Sequence, residues 1–89
     1  MSSTIVVTGA ARGIGAAITK KLLQQGYQVI GIDRQENPEQ WEITQKIESS
    51  EISRWHGFQQ DITDQETTAK LIKDILNKHS VTGLVNAAG

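Results

Sequence analysis

The stretch TGAARGIG, residues 8–15, stands between a short β-branched run, Ile5-Val6-Val7, and residues that repeat apolar side chains every three to four positions. Three glycines at a strand-to-helix junction imply a chain that bends closely around something. The unpaired N–H groups and the positive dipole end of the following helix favour an anion at that point, typically a phosphate. Each glycine then has a task. Gly9 permits the tight turn out of the strand, Gly13 removes a side chain where a pyrophosphate would approach the backbone, and Gly15 lets the helix lie close on the sheet. The spacing Gly-x-x-x-Gly-x-Gly differs from the general dinucleotide pattern Gly-x-Gly-x-x-Gly, but it lies after a strand and before a helix, as that chemistry requires. No Gly-Lys-Ser/Thr follows, which excludes a nucleoside-triphosphate P-loop.

Outward from this loop the hydrophobic period switches repeatedly between strand and helix. Ile14, Ile18 and Leu22, joined by Ala17 and Leu23, form a helical stripe read as core, and Gly26 stands where a left-handed C-cap belongs. QVIGID (28–33) reads as a second strand. Asn37-Pro38, with Gln40 three residues past the cap, predicts a helix from there to about Ser49. RWHGFQQDI (54–62) holds a third strand, and Thr63 to Glu66 reads as a capping box. Behind it Ala69, Ile72, Ile75, Leu76 and His79 share one face of a helix ending near Ser80, and TGLVNAAG (82–89) supplies a fourth strand. The order β-α-β-α-β-α-β implies parallel strands joined by right-handed crossovers, an α/β doubly wound sheet of order 3-2-1-4 whose ligands bind at the carboxyl edge.

Asp33 falls at the end of the second strand, eighteen residues after Gly15. A carboxylate there accepts both hydroxyls of an adenosine ribose and repels a 2′-phosphate, so NAD is expected over NADP. Arg34 and Arg12 pull the other way, since a guanidinium binds a phosphate well. The strand-end carboxylate is weighed more heavily.

Composition excludes other classes. Nine Lys and Arg against ten Asp and Glu leave a formal charge of −1, no footprint for a nucleic acid or an anionic membrane. No apolar run suits a membrane span or a secretion signal, and the zero cysteines exclude disulfides and thiolate metal sites, so a cytoplasmic protein is expected. His56 and His79 lack companions at ligand spacing, so no metal is expected, and His79 reads as a helix-end residue favourable to the dipole. Trp41 and Trp55 read as packing or surface residues, and Lys20-Lys21 as a solvated helix face.

Four loop motifs together resemble the N-terminal part of the short-chain dehydrogenase/reductase family: Thr8-Gly9-x-x-x-Gly13-Ile14-Gly15, Asp33, Asp61-Ile62-Thr63 and Asn86-Ala87-Ala88-Gly89. The resemblance implies a Rossmann-type domain whose first loop, with Ala11 and Arg12, holds the pyrophosphate. It also implies that Asp61 meets the adenine amino group, Ile62 packs on the ring, and the Asn86 to Gly89 backbone passes beside the cofactor ribose. Ala87 departs from the family's usual Asn-Asn-Ala-Gly, which removes one bracing amide. The implied activity is hydride transfer between a nicotinamide cofactor and a small alcohol or carbonyl substrate, in a homo-oligomer, dimer or tetramer.

That chemistry relies in the family on a Tyr-x-x-x-Lys pair. The only tyrosine is Tyr27, and position 31 is Gly, so no catalytic residue is assigned. Residues 1–89 are therefore expected to be the N-terminal part of a dinucleotide-binding Rossmann domain, incomplete and inactive alone. A non-catalytic dinucleotide-binding module is the alternative. A methyltransferase-like domain ranks last, because Thr8 stands where that class usually has an acid before its first glycine.

Overall fold

The computed structural model describes residues 3–88. Strands β1 (Thr4–Thr8), β2 (Gln28–Asp33), β3 (Trp55–Gln59) and β4 (Val81–Asn86) form one parallel sheet in the order β3-β2-β1-β4. Helices α1 (Gly13–Gln24), α2 (Glu42–Lys46) and α3 (Gln65–Lys78) alternate with them. This is the doubly wound α/β topology that the alternating periods imply.

Strand alternation divides the core in two. Val6, Ile30 and Ile32 face α3 and bury Ile75, with Leu71 and Ile72 beside it. Val7 and Val29 face the other way, against Leu23 of α1. A register shift between Thr4 and Ile5 lets β4 serve both layers: Val81 joins the α3 side and Val85 the α1 side.

Five local expectations need correction. The buried face of α1 is Gly15, Ala16, Thr19 and Leu23, while Ile14 is 76% exposed, because the closest approach to the sheet is made through the smallest side chains. In α3 the inward residues are Leu71, Ile72 and Ile75, whereas Ala69 and Leu76 are exposed. The cap of α3 is Asp64, whose Oδ1 accepts the Thr67 N–H at 3.2 Å. Thr63 is drawn away by Asp61. Lys20 is not a solvated cation; its Nζ lies 2.6 Å from Glu51 Oε1 in a half-buried ion pair. That bond, with the Glu48 N–H, holds the Glu51 carboxyl below its ordinary value.

The fifth correction concerns residues 37–49, which do not form one helix. A 3₁₀ turn at Pro38–Gln40 and the single turn of α2 flank Trp41, whose backbone is extended. Asn37 is left-handed and its side chain caps nothing. Burial of Trp41 decides this. Its indole Nε1 donates to the carbonyls of Gln35 and Glu36 at 3.1 and 3.2 Å, and its ring meets Trp55 edge-on at 6.2 Å. Both tryptophans are thus packing residues. Space for Trp55 comes from Gly31, where a Cβ would collide with the indole.

The end of α1 follows expectation. Gly26 is left-handed (φ 95°), and the N–H groups of Gly26 and Tyr27 return to the carbonyls of Leu23 and Leu22. Arg54 adds a contact absent from the sequence reading: its Nη1 donates to the carbonyls of Leu23 and Tyr27 at 2.7 and 3.0 Å, placing a cation at the negative end of the helix dipole.

His56, opposite Ile30 on the α3 side of the sheet, lies with its ring 5.7 Å from that of His79 at the end of α3. Burial first, and the neighbouring imidazole second, hold His56 below its ordinary value of 6.5. The folded state then binds this proton less readily than the unfolded chain, so stability is full above the unfolded value and is lost as pH falls through it. The melting temperature is expected to drop between about pH 7 and about pH 5.5, with a shallower drop in His56→Asn. Equal slopes in the two proteins would remove His56 from the pH response.

Candidate cofactor-binding site

The segments leaving all four strands open on the carboxyl edge of the sheet, and the first is the most tightly built. Gly9 leaves β1 at φ 73°, and its N–H donates to the Ile32 carbonyl at 2.7 Å, folding the loop over the end of β2. A Cβ on Gly9 would lie 2.6 Å from the Ala88 nitrogen, so close approach to the fourth loop also requires glycine. At Gly15 a Cβ would run into the Gly9 carbonyl. Gly13 differs from both. It is left-handed, φ 61°, and nothing lies within 4 Å of where its Cβ would be. The first turn of α1 is pressed onto the loop at one glycine and open to solvent at another.

Asp33 ties the first two loops together. Its Oδ2 accepts the Ala11 N–H and its Oδ1 the Gln35 N–H, each at 3.0 Å. A carboxylate has about four acceptor positions, so capacity remains on both oxygens. The Gln60 N–H donates to the Asp33 carbonyl at 2.8 Å, joining the third loop to the second. Beyond Gln60, Asp61 Oδ1 accepts both the hydroxyl and the N–H of Thr63, at 2.7 and 3.0 Å. These two bonds hold its carboxyl below the usual value, and the nearby Arg34 charge adds to them. In the fourth loop the Thr8 hydroxyl donates to Asn86 Oδ1 at 2.9 Å, and the Ala87 N–H to the Thr8 carbonyl at 3.0 Å. Bracing of β4 against β1 therefore needs no amide at Ala87.

The loops enclose a cleft of about 520 Å³. Of the residues singled out in the sequence, Gly9, Arg12, Gly13, Asp33, Arg34, Asp61, Ile62, Ala87 and Ala88 line it. Ala11 is buried behind it, Gly15 is packed beneath the loop, and Ile14 projects from α1 into solvent. Asn86 holds Thr8 and the Ala88 N–H. Gly89 lies outside the described residues. Thr63, quoted in the third loop motif without a cofactor role, also lines the cleft, and Gln35 and Gln60 line it and were missed. Their only sequence signal is position, one or two residues from Asp33 or Asp61.

The described residues hold no group of three His, Cys, Asp or Glu placed for a metal ion. No helix among them is long and apolar enough to cross a membrane.

Residues 3–89 match the family model described as short chain dehydrogenase. The chain belongs to the short-chain dehydrogenase family. It is 34% identical over 90 residues to serine 3-dehydrogenase of Rhizobium radiobacter, covering all of this chain and 34% of that protein. Its fold is similar to that of ElxO solved with NADP bound, with a TM-score of 0.82 and 28% identity over 97% of this chain and 34% of that one. It is similar also to 4-hydroxyisoleucine dehydrogenase complexed with NADH, with a TM-score of 0.77 and 29% identity over 99% of this chain and 34% of that one. The short-chain dehydrogenase chain thus spans about a third of the length of the relatives it matches.

The two helix-end glycines of this family member should respond differently to a methyl group. Gly15→Ala must push α1 off the Gly9 carbonyl, an overpacking cost of about 1–3 kcal/mol. Gly13→Ala meets open space and bears only left-handed strain, about 1 kcal/mol. Urea unfolding of both variants measures the difference, and a Gly15→Ala protein as stable as Gly13→Ala would discard the packing role.

Proposed function

We propose that this chain is the cofactor-binding portion of a short-chain oxidoreductase that moves a hydride between a nicotinamide dinucleotide and an alcohol or carbonyl substrate, with NAD favoured over NADP. The carrying observation is the meeting, in one cleft, of the α1 N-terminus at Gly13, where there is open space at the Cβ position, and a strand-end carboxylate, Asp33, fixed by two backbone donors. The start of α1 accommodates an anionic oxygen: a carboxylate oxygen of Glu42, which lines the adjoining hollow beside Arg12 and Trp41, accepts the Gly13 N–H at 2.9 Å. The named cofactors of the two solved relatives support a nicotinamide dinucleotide and divide between NADP and NADH.

In this reading the N–H groups at the start of α1 take the pyrophosphate, and Arg12 adds charge beside it. Asp33 accepts the ribose hydroxyls with its remaining lone pairs. Asp61 and Ile62 flank the adenine, one as acceptor and one as apolar surface. The backbone of Ala87 and Ala88 closes the far side of the cleft, near the ribose on the nicotinamide half. The dinucleotide supplies the hydride chemistry, and these residues bind and orient it. The family match and relatives such as serine 3-dehydrogenase support an alcohol or carbonyl substrate.

Asp33→Ala tests the cofactor preference in the full-length protein. Two negative groups in a poorly solvated site repel, and each 1.4 kcal/mol is a factor of ten, so the NADP-to-NAD ratio of kcat/KM is expected to rise about ten-fold or more. Loss of the Ala11 brace weakens both cofactors and cancels in the ratio. An unchanged ratio would reject Asp33 as the discriminating group.

A further inference from the structure

The four backbone N–H groups at the start of a helix have no partner within it, and each needs an acceptor or water. Arg12 caps α1 without any side-chain hydrogen bond, and there is no acidic residue in the first turn. The Gly13 N–H is nevertheless taken, at 2.9 Å, by Glu42 Oε2 from the first residue of α2, 29 positions away in sequence. This is a charged acceptor aimed at the positive end of another helix. Its own α2 is a single turn whose backbone is fixed independently: the Ile43 N–H donates to the Ala11 carbonyl at 3.1 Å, and the Thr44 hydroxyl to the Pro38 carbonyl at 2.6 Å. The carboxylate can therefore leave Gly13 by rotating its side chain, with no movement of the segment. Glu42 is 46% exposed at its side chain, and its one cation neighbour among the described residues is Lys46, with Nζ 3.9 Å away.

We infer that Glu42 is a built-in competitor for the phosphate seat: its carboxylate occupies the Gly13 N–H in the free protein, and a dinucleotide must displace it to bind. This rests on the proposed dinucleotide reading of the cleft. One oxygen cannot accept the Gly13 N–H while another anion does so, and the two negative groups would also repel at that distance. Glu42 thus lowers the apparent affinity for every dinucleotide alike, oxidised or reduced, with or without a 2′-phosphate. It differs in this from Asp33, whose charge separates NAD from NADP. In the free protein the same contact keeps the helix end from standing unsatisfied.

The test uses the full-length protein, its Glu42→Gln and Glu42→Ala variants, and NADH and NADPH as probes. A single exposed anion at a helix N-terminus is a weak competitor, so both variants should bind both dinucleotides about two- to five-fold more tightly than wild type. The Gly13 amide resonance should differ between wild type and Glu42→Gln without ligand and reach one common position when both are saturated with NADH. Equal affinities in all three proteins, or a Gly13 resonance that keeps its difference at saturation, would overturn the competitor role while leaving the dinucleotide site standing. If neither wild type nor the variants bind NADH, the reading of the cleft falls and this inference falls with it. Tightening confined to NADPH would reassign Glu42 to 2′-phosphate discrimination and overturn the inference as stated.

Discussion

The contact between Gly15 and the Gly9 carbonyl sets the geometry of the carboxyl edge. With no room there for a Cβ, α1 must begin directly on top of the loop that leaves β1. Its first N–H, at Gly13, is directed toward α2, where the Glu42 carboxylate accepts it. The same loop is held from below by the Gly9 N–H on Ile32 and from the side by Asp33 on the Ala11 N–H. Gly9 in turn admits the Ala87-Ala88 backbone. One helix start, one strand end and one returning chain are fixed by three short backbone approaches, and small residues are required at each.

The far end of α1 is secured by different means. Leu23 is fully buried against Val7 and Val29, Gly26 closes the last turn, and Arg54, just before β3, reaches the Leu23 carbonyl in that turn and the Tyr27 carbonyl beyond it. Midway along, Lys20 pairs with Glu51. The irregular segment between β2 and β3, although it contains only one turn of α-helix, therefore clamps α1 along its length. Its interior is supplied by Trp41 and Trp55 over the glycines of β2 and β3, which place large rings where a longer helix would otherwise bury leucines and valines. A rigid α1 matters for the cleft because the direction of its first turn decides where an anion can sit.

Much of this was legible in the sequence, for a physical reason. Short β-branched runs and glycine-bounded helices have strong local periods, so the strand-helix order and the sheet order follow from crossover chirality. The cleft residues were legible because strand ends share one edge, which brings Asp33, Asp61 and Ala87 together whatever the side chains between them do. Contacts made across long separations were not. Nothing in local spacing tells that Lys20 meets Glu51, that Arg54 meets Leu23, or that Glu42 meets Gly13. Residues 37–49 failed for the same reason, since the burial of Trp41 is a tertiary event that overrides a good N-terminal helix signal. The Thr63 cap failed through competition: Asp61 offers that hydroxyl a charged acceptor two residues away, and Asp64 takes over the helix.

Charge at the cleft is divided between fixed and free groups. Asp33 is held on both oxygens by backbone donors, so its negative charge has one position relative to the end of β2. Arg12 and Arg34 are exposed, and neither forms an ion pair among the described residues. A fixed charge acts on any ligand in the cleft without loss of side-chain freedom, whereas a flexible arginine must be ordered before it contributes, at a cost of up to about 2 kcal/mol of rotamer entropy. With one carboxylate already in place and two guanidinium groups still to be ordered, the charge at the end of β2 is expected, under the proposed dinucleotide reading, to favour a ligand with free ribose hydroxyls over one with a 2′-phosphate. Within that proposal, Asp33 rather than either cation is the group on which a preference for NAD would turn.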